Sequence, residues 1–208
     1  PIGLNYFGVE QYGLLALIWT LLTFLNMSSF GLPSALKSYL AVYSQKNNRI
    51  KIISMVLKLY LPICVVLLFV LYFLDETYLL VMIGNNLPDY LQKLAANTIL
   101  VAALLFIINL PFSSFLEGFA GIQKIHYSTI YEVLISLTIL LTILIVVNKN
   151  LGLYEFFLIR GVLNLFINAV GLLHFLYSVS KSKHGNTDGS VVNFRLTNIA
   201  IVKMSLTY

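Results

Sequence analysis

The stretch LAANTILVAALLFIINLPFSSFL, residues 94–116, carries no charged side chain and decides the fold of this protein. As an α-helix it is long enough to cross the hydrocarbon core of a bilayer, which takes about 20 residues at about 1.5 Å each. Its apolar residues do not alternate with polar ones, as they would in a strand of a membrane barrel. A helix also satisfies its own backbone hydrogen bonds in lipid. The stretch therefore predicts a transmembrane helix.

Four further runs are of similar length and contain at most two charged residues each: residues 11–36, 52–74, 127–147 and 153–180. The composition agrees, because 59% of the residues are hydrophobic and only 10% are charged. A soluble domain has roughly 25% charged residues, enough to cover its surface. We predict an all-α fold, a polytopic transmembrane helix bundle with five complete spans.

Lysine and arginine are distributed unevenly among the predicted connections. The first, third and fifth connections (residues 37–51, 117–126 and 181–197) hold eight of them, and the second and fourth (residues 75–93 and 148–152) hold two. The positive-inside rule places the first set in the cytoplasm. This bias, together with anionic lipid at the cytoplasmic surface, explains the net charge of +5. No basic stripe alternates with exposed aromatic residues, so we predict no nucleic-acid partner.

The two ends of the sequence shape the domain prediction. The sequence begins at Pro1 rather than at a methionine, and residues 198–208 are apolar but too short to span. Residues 181–197 are polar and resemble a flexible linker. We predict a transmembrane bundle at residues 1–180, a cytoplasmic linker at 181–197 and the start of another transmembrane helix at 198–208. We expect the chain to be a fragment of a longer protein.

Arg160 is the residue that lipid should reject most strongly. It lies about 10 Å into its predicted helix, where a charged side chain costs several kcal/mol in hydrocarbon. Asn164 and Asn168 follow at steps of four residues, so the three side chains share one helix face. In one interpretation Arg160 bonds the carbonyls of a neighbouring helix. In the other, this stripe lines a translocation path and Arg160 meets an anion.

Three other ionisable residues lie within predicted spans. Lys58 and Glu132 are at similar depths on different helices and could pair across an internal cavity, although Lys58 could also extend to the membrane surface. His174 lies within about 40° of Arg160 around its helix, so it either continues the polar stripe or caps near the inner surface. The candidate substrate-binding residues are Arg160, Asn164, Asn168 and Lys58, and the candidates for ion coupling or helix pairing are Glu132 and His174.

Prolines and asparagines are the other informative residues of the spans. Proline removes a helix hydrogen bond and bends the helix, and transporters use such breaks for gating, although membrane helices also simply tolerate it. The prolines at such positions are Pro33, Pro62 and Pro111. Asn26, Asn97 and Asn109 can hydrogen-bond between helices. We expect more of the asparagines to hold the bundle together than to contact a substrate.

Signatures of catalysis and metal binding are missing from the sequence. It has no Gly-rich phosphate loop, no nucleophile elbow and no cluster of ligands with metal spacing. The one cysteine, Cys64, lies in an apolar run and is interpreted as a packing residue. We predict no enzymatic activity, no cofactor and no metal.

Three short motifs resemble those of bacterial polysaccharide lipid flippases. GVEQYG, residues 8–13, looks like the G-x-E-x-Y-G turn of that family. FGLPSAL, residues 30–36, followed by YLA, resembles the G-L-x-x-A-L stretch that ends their second helix. LEGF, residues 116–119, followed by Gln123 and Lys124, resembles the L-x-G loop before their fifth helix. One position departs from the pattern, because Ser29 stands where many relatives carry an acidic residue.

The resemblance implies a transporter of the multidrug/oligosaccharidyl-lipid/polysaccharide exporter superfamily. The five runs would be helices two to six, and residue 198 would begin helix seven of a transporter with 12–14 helices. Such a protein flips polyprenyl-diphosphate-linked oligosaccharide repeat units across the bacterial cytoplasmic (inner) membrane by alternating access, as in O-antigen and lipopolysaccharide assembly. Arg160 would then contact the anion, with Lys58 as the second candidate.

The expected partners are lipid-linked oligosaccharide, membrane lipid and other membrane proteins of polysaccharide assembly. Two alternatives stay open at this point. One is an exporter of drugs or small cations from the same superfamily, which would favour an acidic, aromatic-lined cavity. The other is a membrane-embedded glycan polymerase or glycosyltransferase, which would need an acidic catalytic motif or a large outer loop.

Overall fold

The computed structural model describes residues 2–27, 29–43, 45–73 and 89–181 of the 208-residue chain. The regular elements in these ranges are α-helices: α1 Ile2–Met27, α2 Leu32–Val42, α3 Lys46–Phe73, α4 Asp89–Gly121, α5 Ile125–Lys149 and α6 Leu153–Lys181. All of them except α2 are long and apolar enough to cross a membrane. The predicted all-α class with five candidate spans is therefore confirmed.

Helices α3 to α6 contain the last four predicted spans, apart from Leu74, which lies outside the described residues, and extend a few residues beyond most of their other ends. These helices form at apolar runs with at most two charged residues each, because in lipid a backbone N–H has no partner other than a backbone carbonyl group. Most of the second predicted connection lies outside the described residues. So do the linker at 181–197, apart from its first residue, and the helix start at 198–208, and these remain predictions.

The first predicted span is wrong at its C-terminal end. Residues 11–36 do not form one helix, because α1 ends at Met27 and α2 begins at Leu32. Between the two helices, Phe30 and Gly31 have left-handed backbone conformations, with φ of 48° and 67°. A right-handed helix cannot continue through such residues, and glycine adopts this conformation without strain.

Pro33 and Gly8 mark two further departures from a single long helix. Pro33 lies in the first turn of α2, where its missing N–H breaks no helix hydrogen bond. The turn expected at residues 8–13 is reduced to a break at Gly8, with φ 76° and ψ 170°, and helix continues on both sides of it. Helix α1 therefore starts well before the apolar run does.

Two predicted loops are also wrong in extent, because helices occupy most of them. The connection predicted at residues 37–51 is only residues 43–45, and the one predicted at residues 117–126 is only residues 122–124. Their basic residues therefore lie largely at helix ends. The tight turn predicted between α5 and α6 is present, and Asn150 there has a left-handed φ of 52°.

Helices α4 and α6 make the most extensive contact of the bundle. Glycines on α6 allow their close approach. A Cβ atom at Gly161 would lie 2.6 Å from Leu105 Cδ1, and one at Gly171 would lie 2.6 Å from Leu116 Cδ2. Small residues at helix contacts are typical of membrane bundles, where packing rather than the hydrophobic effect holds helices together.

Buried apolar side chains form two clusters that lie at different levels along α4 and α6. The inner cluster is built on α2 to α6, and its largest members include Tyr60, Phe115, Phe119 and Phe175. The outer cluster is built on α1, α4, α5 and α6, and it includes Ile18, Leu153, Phe156 and Phe157. The names inner and outer follow the orientation predicted from the loop charges. The stretches of α4 and α6 between these clusters border a cavity.

Candidate functional site

A cavity of about 330 Å³ lies between the inner and outer clusters. Helices α1, α4, α5 and α6 contribute its walls. The polar residues that line it are Thr23, Asn26, Asn109, Ser113, Arg160, Asn164 and Asn168. Its volume is at the lower end of the range for small-molecule sites, roughly 300–1,000 Å³. This cavity is the candidate site.

Arg160 is the cation among the described residues that line this cavity, and it lies over the ring of a tryptophan from another helix. The guanidinium carbon lies 3.7 Å from the centroid of the Trp19 ring. Arg160 Nε is buried and has no hydrogen-bond partner. The indole face therefore provides the main protein contact to the charge. Such an attraction is worth about 0.5–1 kcal/mol at exposed sites and about 2 kcal/mol or more when desolvated.

The two asparagines of the predicted stripe connect α6 to its neighbours. Asn168 Nδ2 donates a hydrogen bond to Asn109 Oδ1 of α4 at 3.0 Å. Thr138 Oγ1 of α5 donates one to Asn164 Oδ1 at 2.8 Å. Asn168 is only 2% exposed, and its Oδ1 has no hydrogen-bond partner. The stripe thus borders the cavity and also holds three helices together.

No carboxylate is among the residues that line the cavity in the described part of the chain. The carboxylates with hydrogen bonds lie elsewhere. Glu10 accepts one from the Tyr90 hydroxyl, Glu132 from Ser128, and Glu155 from the backbone N–H of Gly152. Within the described cavity wall, the positive charge of Arg160 is therefore not neutralised.

Lys58 and Glu132 do not meet in the described structure, and neither lines the cavity. Lys58 is exposed on α3. The buried positions Val56 and Tyr60 flank it two residues away on either side, and a step of two residues turns about 200° around a helix. Lys58 consequently faces away from the bundle. Glu132 is exposed on α5. The roles suggested for Lys58 in substrate binding and for Glu132 in ion coupling or helix pairing stay predictions.

His174 belongs to the inner cluster rather than to the cavity. Its Nδ1 lies 3.1 Å from the Tyr131 hydroxyl of α5. Its ring also contacts Phe119 and Tyr127, with centroid distances of 5.2 Å and 4.6 Å. His174 therefore joins α6 to α5 and α4 through an aromatic cluster, and a role in ion coupling stays a prediction.

Two important residues of the site were missed by sequence reasoning. Trp19 gave no signal, because one aromatic residue in an apolar run is ordinary in a membrane helix. Asn109 was recognised only as one of several asparagines able to bond between helices. Helical periodicity places Asn164 and Asn168 relative to Arg160, but it does not say which residue of another helix lies opposite them.

The arrangement is suited to binding an anion. A guanidinium presents two parallel N–H donors that match the oxygens of a phosphate or carboxylate group. The amides and hydroxyls of the wall supply further hydrogen-bonding groups. In the described part of the chain, no group of three or more His, Cys, Asp and Glu side chains is placed to hold a metal ion.

Comparison with known proteins gives the family of this chain. The sequence matches the polysaccharide biosynthesis protein family over residues 1–208. No match is found among curated proteins or among solved structures. The family match covers the whole sequence and confirms the resemblance carried by the three motifs. The chain thus belongs to the polysaccharide biosynthesis protein family and is, with its five candidate spans, a membrane protein.

Proposed function

We propose that this protein moves polyprenyl-diphosphate-linked oligosaccharide repeat units across the bacterial cytoplasmic membrane by alternating access. Family membership supports a role in polysaccharide assembly, and the five candidate spans support a location in a membrane. The single observation that carries the proposal is Arg160. Its guanidinium lies in a polar cavity whose described lining includes no carboxylate.

The chemistry of the cargo explains why such a cavity would help. The diphosphate is anionic and the sugars are polar, so neither enters hydrocarbon without a large desolvation cost. The polyprenyl tail is apolar and can remain in the lipid. A cation and several amides inside the bundle replace the water that the head group loses. Alternating access then requires only that the cavity open in turn to each side of the membrane.

The size of the cavity limits what it can hold. About 330 Å³ accommodates the diphosphate end of the carrier rather than a whole oligosaccharide repeat unit. The bidentate fit between guanidinium and phosphate oxygens favours this end of the cargo at Arg160. The remaining sugars would extend away from the described wall of the cavity.

An exporter of organic cations is the less favoured alternative. Such a protein would gain from a carboxylate in its cavity, whereas Arg160 would repel the cargo.

The proposal also assigns transport to the protein, rather than glycan polymerisation or glycosyl transfer. Its partners would be lipid-linked oligosaccharide, membrane lipid and other polysaccharide-assembly membrane proteins, with O-antigen and lipopolysaccharide as the pathway.

Substitution of Arg160 tests the proposal in cells that depend on this protein for surface glycan. Arg160→Glu should reduce surface glycan most, Arg160→Ala next and Arg160→Lys least, because lysine keeps the charge but loses the bidentate geometry. Each value is divided by the amount of protein in the membrane. Lys149→Ala, which removes an exposed cation at the end of α5, is the matched control and should export normally. Equal export by all three Arg160 variants would refute the anion contact.

A further inference from the structure

We propose that Trp19 is a positioning residue, which holds the Arg160 guanidinium in the cavity and leaves its charge available to an anionic diphosphate. This inference rests on the function proposed above and deepens it. It assigns to the substrate site a residue on α1 whose side chain acts through Arg160 rather than on the cargo.

The geometry of the pair is the first argument. With Arg160 Cζ lying over the Trp19 ring, 3.7 Å from its centroid, the indole occupies one side of the guanidinium. Arg160 Nε is buried without a hydrogen-bond partner. A ligand in the cavity can therefore approach only the part of the guanidinium that the indole leaves uncovered. The donors available to this ligand are the outer N–H groups.

The second argument is the kind of partner that Trp19 provides. Inside a protein an arginine is usually held by a carboxylate, which fixes the side chain but neutralises its charge. An anionic ligand would then have to compete with that carboxylate. An aromatic face attracts the cation through its quadrupole and carries no net charge. Trp19 thus fixes Arg160 without occupying it, which a site for a transient anionic cargo requires.

The third argument is that α1 is itself fixed where it presents Trp19. Ile18, the preceding residue, is 1% exposed and packs in the outer cluster. The Tyr6 hydroxyl donates to the carbonyl oxygens of Val146 and Leu151, each at 3.0 Å. The Tyr6 contacts tie the beginning of α1 to the end of α5 and the turn after it. Ile18 lies on the same side of the Gly8 break as Trp19, and its burial sets the rotation of α1 there.

This arrangement has a consequence for selectivity. Because the indole occupies one side of the guanidinium, a ligand binds best at the outer N–H groups. The ligand that matches them best has two oxygens about as far apart as these two donors. Phosphate and diphosphate groups have this arrangement. An ammonium group at position 160 would lack both the flat face that stacks on Trp19 and the paired donors.

A double-mutant cycle on the full protein tests the proposal. Binding of polyprenyl diphosphate without sugar is measured in detergent solution for the wild type, Trp19→Leu, Arg160→Ala and the double variant. We expect Trp19→Leu to weaken binding by up to about tenfold, because an Arg160 side chain that the ring no longer holds must be ordered when the ligand binds. In the Arg160→Ala background the same change should alter affinity less than about twofold, because coupled residues are not additive. Trp19→Phe should restore part of the affinity.

Phe24→Leu is the matched control, because it removes a ring from an exposed position of α1 outside the cavity and should bind normally. If Trp19→Leu weakens binding equally in both backgrounds, Trp19 contacts the ligand directly and the positioning role is refuted. If Trp19→Leu binds normally while Arg160→Ala does not, Arg160 needs no positioning. Normal binding by Arg160→Ala would refute both this inference and the proposed anion contact. The first two results leave that contact standing.

Discussion

The side-chain amide of Asn168 donates a 3.0 Å hydrogen bond to Asn109 Oδ1 and so joins α6 to α4 beside the cavity. Asn109→Leu should therefore lower the stability of the protein. Asn168 is only 2% exposed, and the change leaves its amide without this acceptor, at a cost of about 1–3 kcal/mol. Thermal unfolding in detergent, followed by the loss of monodisperse protein, measures the effect.

The control for this prediction lies on the same helix. Asn97 is exposed on α4, so Asn97→Leu replaces the same residue type without removing a described contact between helices. It should unfold at the wild-type temperature or slightly above it. Equal destabilisation by both changes would show that the bond between Asn109 and Asn168 adds nothing to stability.

Gly121 gives a second prediction, about the packing of α4 against α2. A Cβ atom there would lie 2.6 Å from the carbonyl oxygen of Lys37. Since the obstacle is backbone, it cannot rotate away, and α2 must shift. We expect Gly121→Ala to destabilise the protein by about 1–3 kcal/mol, the usual cost of overpacking. Gly13→Ala, where nothing lies within 4 Å of the added atom, should leave the unfolding temperature unchanged or raise it.

Tyr60 gives a third prediction, on the contact between α3 and α4. Its ring is 1% exposed, and its hydroxyl is hydrogen-bonded to Ser114 Oγ. Tyr60→Phe should cost about 1 kcal/mol, because Ser114 keeps its bond to the Leu110 carbonyl. Tyr60→Ala should cost about 3–5 kcal/mol, because it also leaves a cavity. Tyr72→Phe, at a position 82% exposed, is the control. Destabilisation by that change would contradict the stabilising role assigned to the buried Tyr60 hydroxyl.

The orientation of the bundle gives a fourth prediction. The charge bias places Asn47 on the cytoplasmic side and Lys149 on the outer side, and both are exposed near ends of their helices. In a Cys64→Ala background, Lys149→Cys should react with an impermeant maleimide in intact cells, and Asn47→Cys should react only after the cells are opened. The reverse pattern would overturn the orientation.

How far the sequence predicts this fold depends on the physical signal at each point. The helices after residue 45 follow from long apolar runs, because a backbone in lipid must form its hydrogen bonds within its own helix. The helix break at Phe30 and Gly31 could not be predicted from hydropathy in the same way. The residues around it are apolar or small, so hydropathy does not change there, and Pro33 is tolerated in membrane helices. A local backbone conformation, not burial, ends α1 at Met27.

The candidate site was predictable on one helix only. Arg160, Asn164 and Asn168 share a face because of helical periodicity, and all three line the cavity. Trp19 lies on another helix, and its position opposite Arg160 depends on how the helices rotate against each other. The rotation of α3 likewise decides that Lys58 faces outward. The sequence gives the depth of Lys58 and Glu132 in the membrane. Similar depth does not show that two residues on different helices face each other.

The central claim is that Arg160 binds the diphosphate of a lipid-linked oligosaccharide during its translocation. The most direct measurement reconstitutes the full protein in lipid vesicles with polyprenyl-diphosphate-linked oligosaccharide and follows how much of it becomes accessible to an external sugar-oxidising reagent. Wild-type vesicles should expose the inner-leaflet pool with time. Arg160→Glu, at equal protein content, should be slower by at least about tenfold, the loss of one charge-assisted contact. Wild-type vesicles that behave like protein-free ones, or an Arg160→Glu variant as fast as the wild type, would contradict the account.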